Sequence, residues 1–181
     1  MIRLYLVLAV TGVSLLSAAF ATGIAASTLP GGRVGAWGGV HLVASLFTVL
    51  ALLVIHSMVY TYFIATTRWV KEASLAYDLP DWLVGQARRN KGRVSRFIMG
   101  GAATVAIAAW AGAAADTRGA AYAPLHLAGA SFALGFNAVA FVVEYAVVVA
   151  HQRLLAELNA QAGRARASRG DESSADEATS S

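Results

Sequence analysis

Six side chains in this 181-residue chain have the types and spacing for chemistry: His41, His56, His126, His151, Asn137 and Glu144. All lie within or beside apolar stretches, where an ionisable group is costly and faces the interior of a helical bundle. His126, Asn137, Glu144 and His151 follow one another at steps of 11, 7 and 7 residues. At about 3.6 residues per turn these steps return to nearly one face, so a single stripe carries all four. Earlier in the chain His41, Ser45 and Thr48 share a face. His56, fifteen residues after His41, stays within about 60° of that face. His and carboxylate ligands suit Zn, Fe or Mn, and a carboxylate near imidazole suits a proton site.

The elements that position these groups follow from the uncharged runs. Hydrophobic residues make up 57% of the chain and charged ones 13%, with a mean hydropathy of +0.59. Soluble domains carry about 25% charged residues. A hydrocarbon core of about 30 Å needs about 20 apolar residues per helical crossing. Four stretches meet that length, at 4–26, 35–67, 97–115 and 123–150, and each is read as a helix because lipid satisfies no backbone group. The expected fold is all-α, an integral membrane four-helix up-down-up-down bundle over residues 1–160. Gly100, Gly101 and Gly112, set among alanines, suit close helix packing there.

Lys and Arg give the orientation. Seven lie in the loop 68–96, five at Arg3 and in the C-terminal segment, and one each, Arg33 and Arg118, in the other connections. Positive charge collects on the cytoplasmic side, so a multi-pass protein of the cell membrane with both termini cytoplasmic is expected. Arg3 before an apolar run, with Ala19-Phe20-Ala21, also fits a cleaved signal peptide, which would leave the other spans oriented the same way. Within loop 68–96, Asp78-Leu79-Pro80-Asp81-Trp82 reads as the start of a short interfacial helix. Trp82 and Leu83 would anchor it, with Arg88, Arg89, Lys91 and Arg93 on anionic lipid rather than nucleic acid. Residues 161–181, rich in Ala, Ser, Gly and charge, are expected to form a disordered tail.

The absence of cysteine excludes disulfides, thiolate metal sites and covalent c-type haem. No phosphate-cradling Gly loop, HExxH or GxSxG is present, so a catalytic role for the chain alone has no motif behind it. Spans two and four run in the same direction and sit diagonally, which places His41 opposite His126 near the outer surface and His56 opposite Glu144 deeper, with Asn137 above. The spacing of His41 and His56 resembles that in the ligand-bearing helices of di-haem cytochromes b. The twenty-five residues between His126 and His151 depart from that pattern and leave room for one bis-histidine haem only. His41 and His126 are its axial candidates, and the candidate metal ligands generally. Gly129 and Ala130 would leave room for the macrocycle.

Three functions follow as expectations. The first is a b-type haem electron-transfer subunit, with the His56, Asn137 and Glu144 cluster receiving protons or quinone. The second is a His/Glu-lined proton or metal-ion pathway, and the third an accessory or assembly subunit of a larger membrane complex. A structural reading competes with all three at His41 and His126, because a histidine one turn inside an interface often only bonds a carbonyl. His151 is read as an interfacial residue.

Overall fold

The computed structural model describes residues 1–32 and 35–179. The chain is all-helical, with α1 over Ile2–Thr28, α2 over Ala36–Tyr77, α3 over Trp82–Arg118, a 3-10 turn at Ala120–Tyr122, and α4 over Ala123–Thr179. Each expected span lies inside one of these helices, and all four helices are long and apolar enough to cross a membrane. Val43, Leu46, Phe47, Phe132 and Val142 point outward with more than 60% exposure. A soluble monomer rarely leaves so much apolar surface open, and lipid is the solvent that tolerates it.

The ends that meet follow from specific contacts. His41, near the start of α2, reaches Ala19 late in α1, and His126, near the start of α4, reaches Ala108 late in α3. Thr66 of α2 bonds His151 of α4, and Tyr5 in the first turn of α1 bonds Phe141 of α4. α2 and α4 also touch along the bundle's diagonal, whereas α1 and α3 make no contact among the described residues. Tyr5, Leu52, Val59, Phe63, Phe141 and Val148 form the centre of the core. Small residues let the backbones close in: a Cβ at Gly12 would stand 2.7 Å from the Phe141 ring. Close van der Waals packing of this kind holds helices together where lipid is as apolar as the side chains.

The loop 68–96 is itself helical, which differs from the sequence reading. α2 continues to Tyr77 and α3 begins at Trp82, so only Asp78–Asp81 remain as the connection. Asp78 takes a left-handed conformation (φ 52°), and the Leu79 amide donates to the Ser74 carbonyl at 2.9 Å, closing the end of α2. The segment expected to be a short interfacial helix is the first part of α3. Leu83, assigned there as a lipid anchor, is fully buried in a second core with Val70, Ala87, Leu154 and Leu158. Leu83, Ala87, Asn90 and Val94 recur every three or four residues, so one stripe runs unbroken from this extension into the span. No proline follows Pro80 within α3 to interrupt it. Trp82, Arg88, Arg89 and Arg93 stay exposed and Lys91 half-buried.

α4 also continues through 161–179, where the sequence suggested a disordered tail; Ser180 and Ser181 lie outside the described residues. Helix-spaced pairs accompany it, with Gln161 donating to Glu157 at 2.8 Å and Arg164 3.6 Å from the same carboxylate. Arg166 reaches across to donate to the Tyr77 hydroxyl at 2.6 Å, its guanidinium 4.9 Å from the ring centre.

Candidate functional site

His41 and His126 come together at the end of the bundle where α1 meets α2 and α3 meets α4. Their ring centres are 6.0 Å apart and their planes 60° to one another. His126 Nδ1 lies 2.9 Å from the Ala108 carbonyl, and His41 Nδ1 lies 3.1 Å from the Ala19 carbonyl. A carbonyl oxygen only accepts, so in both rings Nδ1 carries the hydrogen and Nε2 keeps its lone pair. The Thr22 and Ser45 hydroxyls stand 3.4 and 3.3 Å from the same His41 nitrogen. Among the described residues no hydrogen bond engages either Nε2. Two half-buried imidazoles with their tautomers fixed and their second nitrogens open make a two-donor ligand set.

The seats of the two histidines are alike. A Cβ on Gly23 would stand 2.9 Å from the His41 ring, and a Cβ on Gly112 would stand 2.9 Å from the His126 ring. In each case the carbonyl that fixes Nδ1 lies four residues before that glycine. One layer down, Gly12 faces Leu52 and Phe141, and Gly101 faces Asn137 and His56. A constant offset of 89 residues relates Gly12, Ala19 and Gly23 to Gly101, Ala108 and Gly112. An offset of 85 relates His41, Leu52, His56 and Thr66 to His126, Asn137, Phe141 and His151. Equivalent residues face each other: His56 stacks on Phe141 at 5.5 Å and 12°, and Thr66 bonds His151 at 2.8 Å. The hairpins α1–α2 and α3–α4 therefore repeat one another about a pseudo-two-fold axis between α2 and α4. The eleven-residue glycine spacing in α1 and α3 was the available signal, hidden because the paired side chains differ.

Replacing Gly112 with Ala is expected to push His126 off the Ala108 carbonyl, since a Cβ at 2.9 Å is closer than packed atoms allow. A metal or haem held through His126 Nε2 would then bind about 10–100-fold more weakly, the usual effect of losing an outer-shell partner. Gly23→Ala should act likewise on His41, and a ligand titration of both variants checks the pair.

The deeper cluster joins all four helices directly. His56 Nδ1 faces Glu144 Oε1 at 3.4 Å, with 2% and 0% of the two side chains exposed. Neither atom has another partner. His56 Nε2 lies 3.0 Å from Asn137 Oδ1, while Asn137 Nδ2 donates to the Ala133 carbonyl at 2.8 Å and to Thr104 Oγ1 at 3.2 Å. Sequence spacing had placed His56 near Glu144 with Asn137 above; Tyr5 and Thr104 were not anticipated. The Tyr5 hydroxyl lies 2.8 Å from the Phe141 carbonyl and 3.2 Å from Glu144 Oε2. The one available hint was that Tyr5 is the only ionisable side chain in the span 4–26.

His151 is fully buried rather than interfacial. The Thr66 hydroxyl gives its hydrogen to the Tyr62 carbonyl at 2.7 Å, so His151 Nε2 donates to Thr66 Oγ1 at 2.8 Å; its Nδ1 accepts from Asn90 Nδ2 at 3.5 Å, and its ring packs 4.8 Å from Phe63. The α2 and α3 extensions keep water from it, which residue spacing alone did not reveal. With both nitrogens engaged it offers no lone pair to a ligand.

Among the described residues no three His, Asp or Glu side chains gather as a metal-binding group. A bare cation held by protein alone needs three or four such ligands. The pair His41 and His126 supplies two donors only. No family model, no curated protein and no solved structure matches this chain.

Proposed function

We propose that this chain is a membrane electron-transfer subunit that binds one haem b between His41 and His126. The observation that carries the reading is the pair of imidazoles, 6.0 Å apart between centres, with each Nδ1 donated to a backbone carbonyl. The open Nε2 atoms of His41 and His126 are the donors that would hold the iron. A haem, when bound, supplies a one-electron iron couple. The chain's own residues do the rest: the Ala19 and Ala108 carbonyls hold the rings and raise their basicity, and Ser45 and Thr22 supply further polar contacts to His41. Gly129, expected from the sequence to leave room for a macrocycle, instead packs against α3, where a Cβ would stand 3.6 Å from the Ala108 backbone.

The same reading places the four helices up-down-up-down across the cell membrane, with both termini and the α2–α3 turn on the cytoplasmic side. The haem then lies near the outer face, and the basic start of α3 faces anionic lipid headgroups. The chain has no native cysteine, so single cysteines report sidedness cleanly. Arg118→Cys is expected to react with an impermeant thiol reagent on intact cells, and Arg89→Cys only after the membrane is opened; the reverse pattern would invert the topology.

The decisive test is an optical spectrum of the protein purified in detergent after expression with ample haem. A Soret band with sharp bands on dithionite reduction is the expected result. A colourless preparation under those conditions rejects the assignment.

A further inference from the structure

Asn137 decides the proton count in the buried cluster. One end of its amide is surrounded by acceptors, the carbonyls of Ala133 at 2.8 Å and Gly101 at 3.4 Å, so that end is the NH2 group. Oδ1 then points at His56 Nε2, and Nε2 must carry a hydrogen to donate to it. This leaves His56 Nδ1 facing Glu144 Oε1 at 3.4 Å. A carboxylate set against an imidazole lone pair would be repulsive and, this deep, uncompensated. One proton therefore belongs between them, either on the acid or on the imidazole, and the pair is neutral overall in both arrangements.

Tyr5 stands on the other carboxyl oxygen with a single hydroxyl hydrogen and two acceptors, the Phe141 carbonyl at 2.8 Å and Glu144 Oε2 at 3.2 Å. When Glu144 is ionised the hydrogen turns to Oε2. When Glu144 is protonated it turns back to the carbonyl. The titratable groups facing Glu144 are Tyr5 from α1 and His56 from α2, with Tyr145 beside it in sequence and 6.3 Å from the Tyr5 ring. α3 contributes no charged group, only the Gly101 carbonyl and Thr104 hydroxyl that hold Asn137. Tyr5 sits in the first turn of α1, so about 5 Å of helix separates it from the helix start.

We propose that Tyr5, Glu144 and His56 form a proton-exchange site inside the bundle. Glu144 is the group that changes state, His56 shares its proton, and the Tyr5 hydroxyl reorients as the proton enters or leaves past the start of α1. Uptake of one solvent proton converts the neutral pair to Glu144 carboxylic acid beside His56 imidazolium, and its release restores the neutral pair. The site is separate from the His41 and His126 pair and stands whether or not haem is bound there.

The test is an infrared titration of the full-length protein in lipid vesicles, reading the carbonyl stretch of protonated carboxylic acids. The spectrum of the wild type minus that of Glu144→Gln should contain one acid band that grows as the pH falls. Glu144→Asp, which keeps an acid one methylene shorter, should move that band without removing it. In Tyr5→Phe, which loses the donor to the ionised carboxylate, the band should persist to more alkaline pH by about one unit, a tenfold change in proton affinity. A difference spectrum with no acid band, or with one constant across the pH range, overturns the proposal. An unaltered titration in Tyr5→Phe overturns it too.

Discussion

Replacing His126 with Ala is expected to abolish the Soret band of the haem-loaded protein, or to reduce it at least about a hundredfold in haem retention. That exceeds the 10–100-fold usual for an outer-shell partner, because an axial bond itself is lost. On the proposed assignment a b-type haem, which has no covalent tether, would be retained by His41, His126 and packing alone, and the chain has no cysteine to replace them. His41→Ala should give the same result, since the two rings occupy equivalent seats on Gly23 and Gly112. His151→Ala is the control: both of its nitrogens are engaged within the protein, so the spectrum should be that of the wild type. If His126→Ala binds haem with an unchanged reduced spectrum, the axial assignment is wrong.

His56→Leu is expected to destabilise the bundle by about 3–5 kcal/mol, the usual cost of removing one partner of a buried ion pair. Glu144 would be left with Tyr5 alone, and Asn137 Oδ1 would lose its donor in a fully buried site. Adding Glu144→Leu should recover most of that loss, because replacing both buried polar groups with apolar ones is often neutral. The pair is close enough to couple, so a double-mutant cycle by unfolding in mixed detergent micelles isolates its interaction. Simple additivity of the two single losses would show that His56 and Glu144 do not act as a unit.

How much of this was legible in advance can be judged from particular residues. The phase of His126, Asn137 and Glu144 was correct because helical geometry is rigid over two or three turns. Diagonal placement of α2 and α4 then sufficed to set His41 against His126 and His56 against Glu144. In loop 68–96 charged residues mark the end of the apolar zone but not the end of the helices. In fact α2 and α3 continue past the apolar zone, and Leu83, Ala87 and Leu158 form a core of their own there. The same extension buries His151, which residue spacing alone had assigned to an interface.

The sequence by itself determined the four apolar spans, their lengths and the polar stripe on α4, since each depends on residue type and the fixed period of one helix. Tertiary structure decided the rest. Whether Nδ1 or Nε2 of a histidine is open depends on a carbonyl of another helix, Ala19 for His41 and Ala108 for His126. That Tyr5 joins Glu144 across 139 positions, and that two glycines lie under two imidazoles, are facts of backbone approach between helices. No periodicity within one helix encodes them, because hydrogen-bond partners and close contacts are properties of pairs of elements in space.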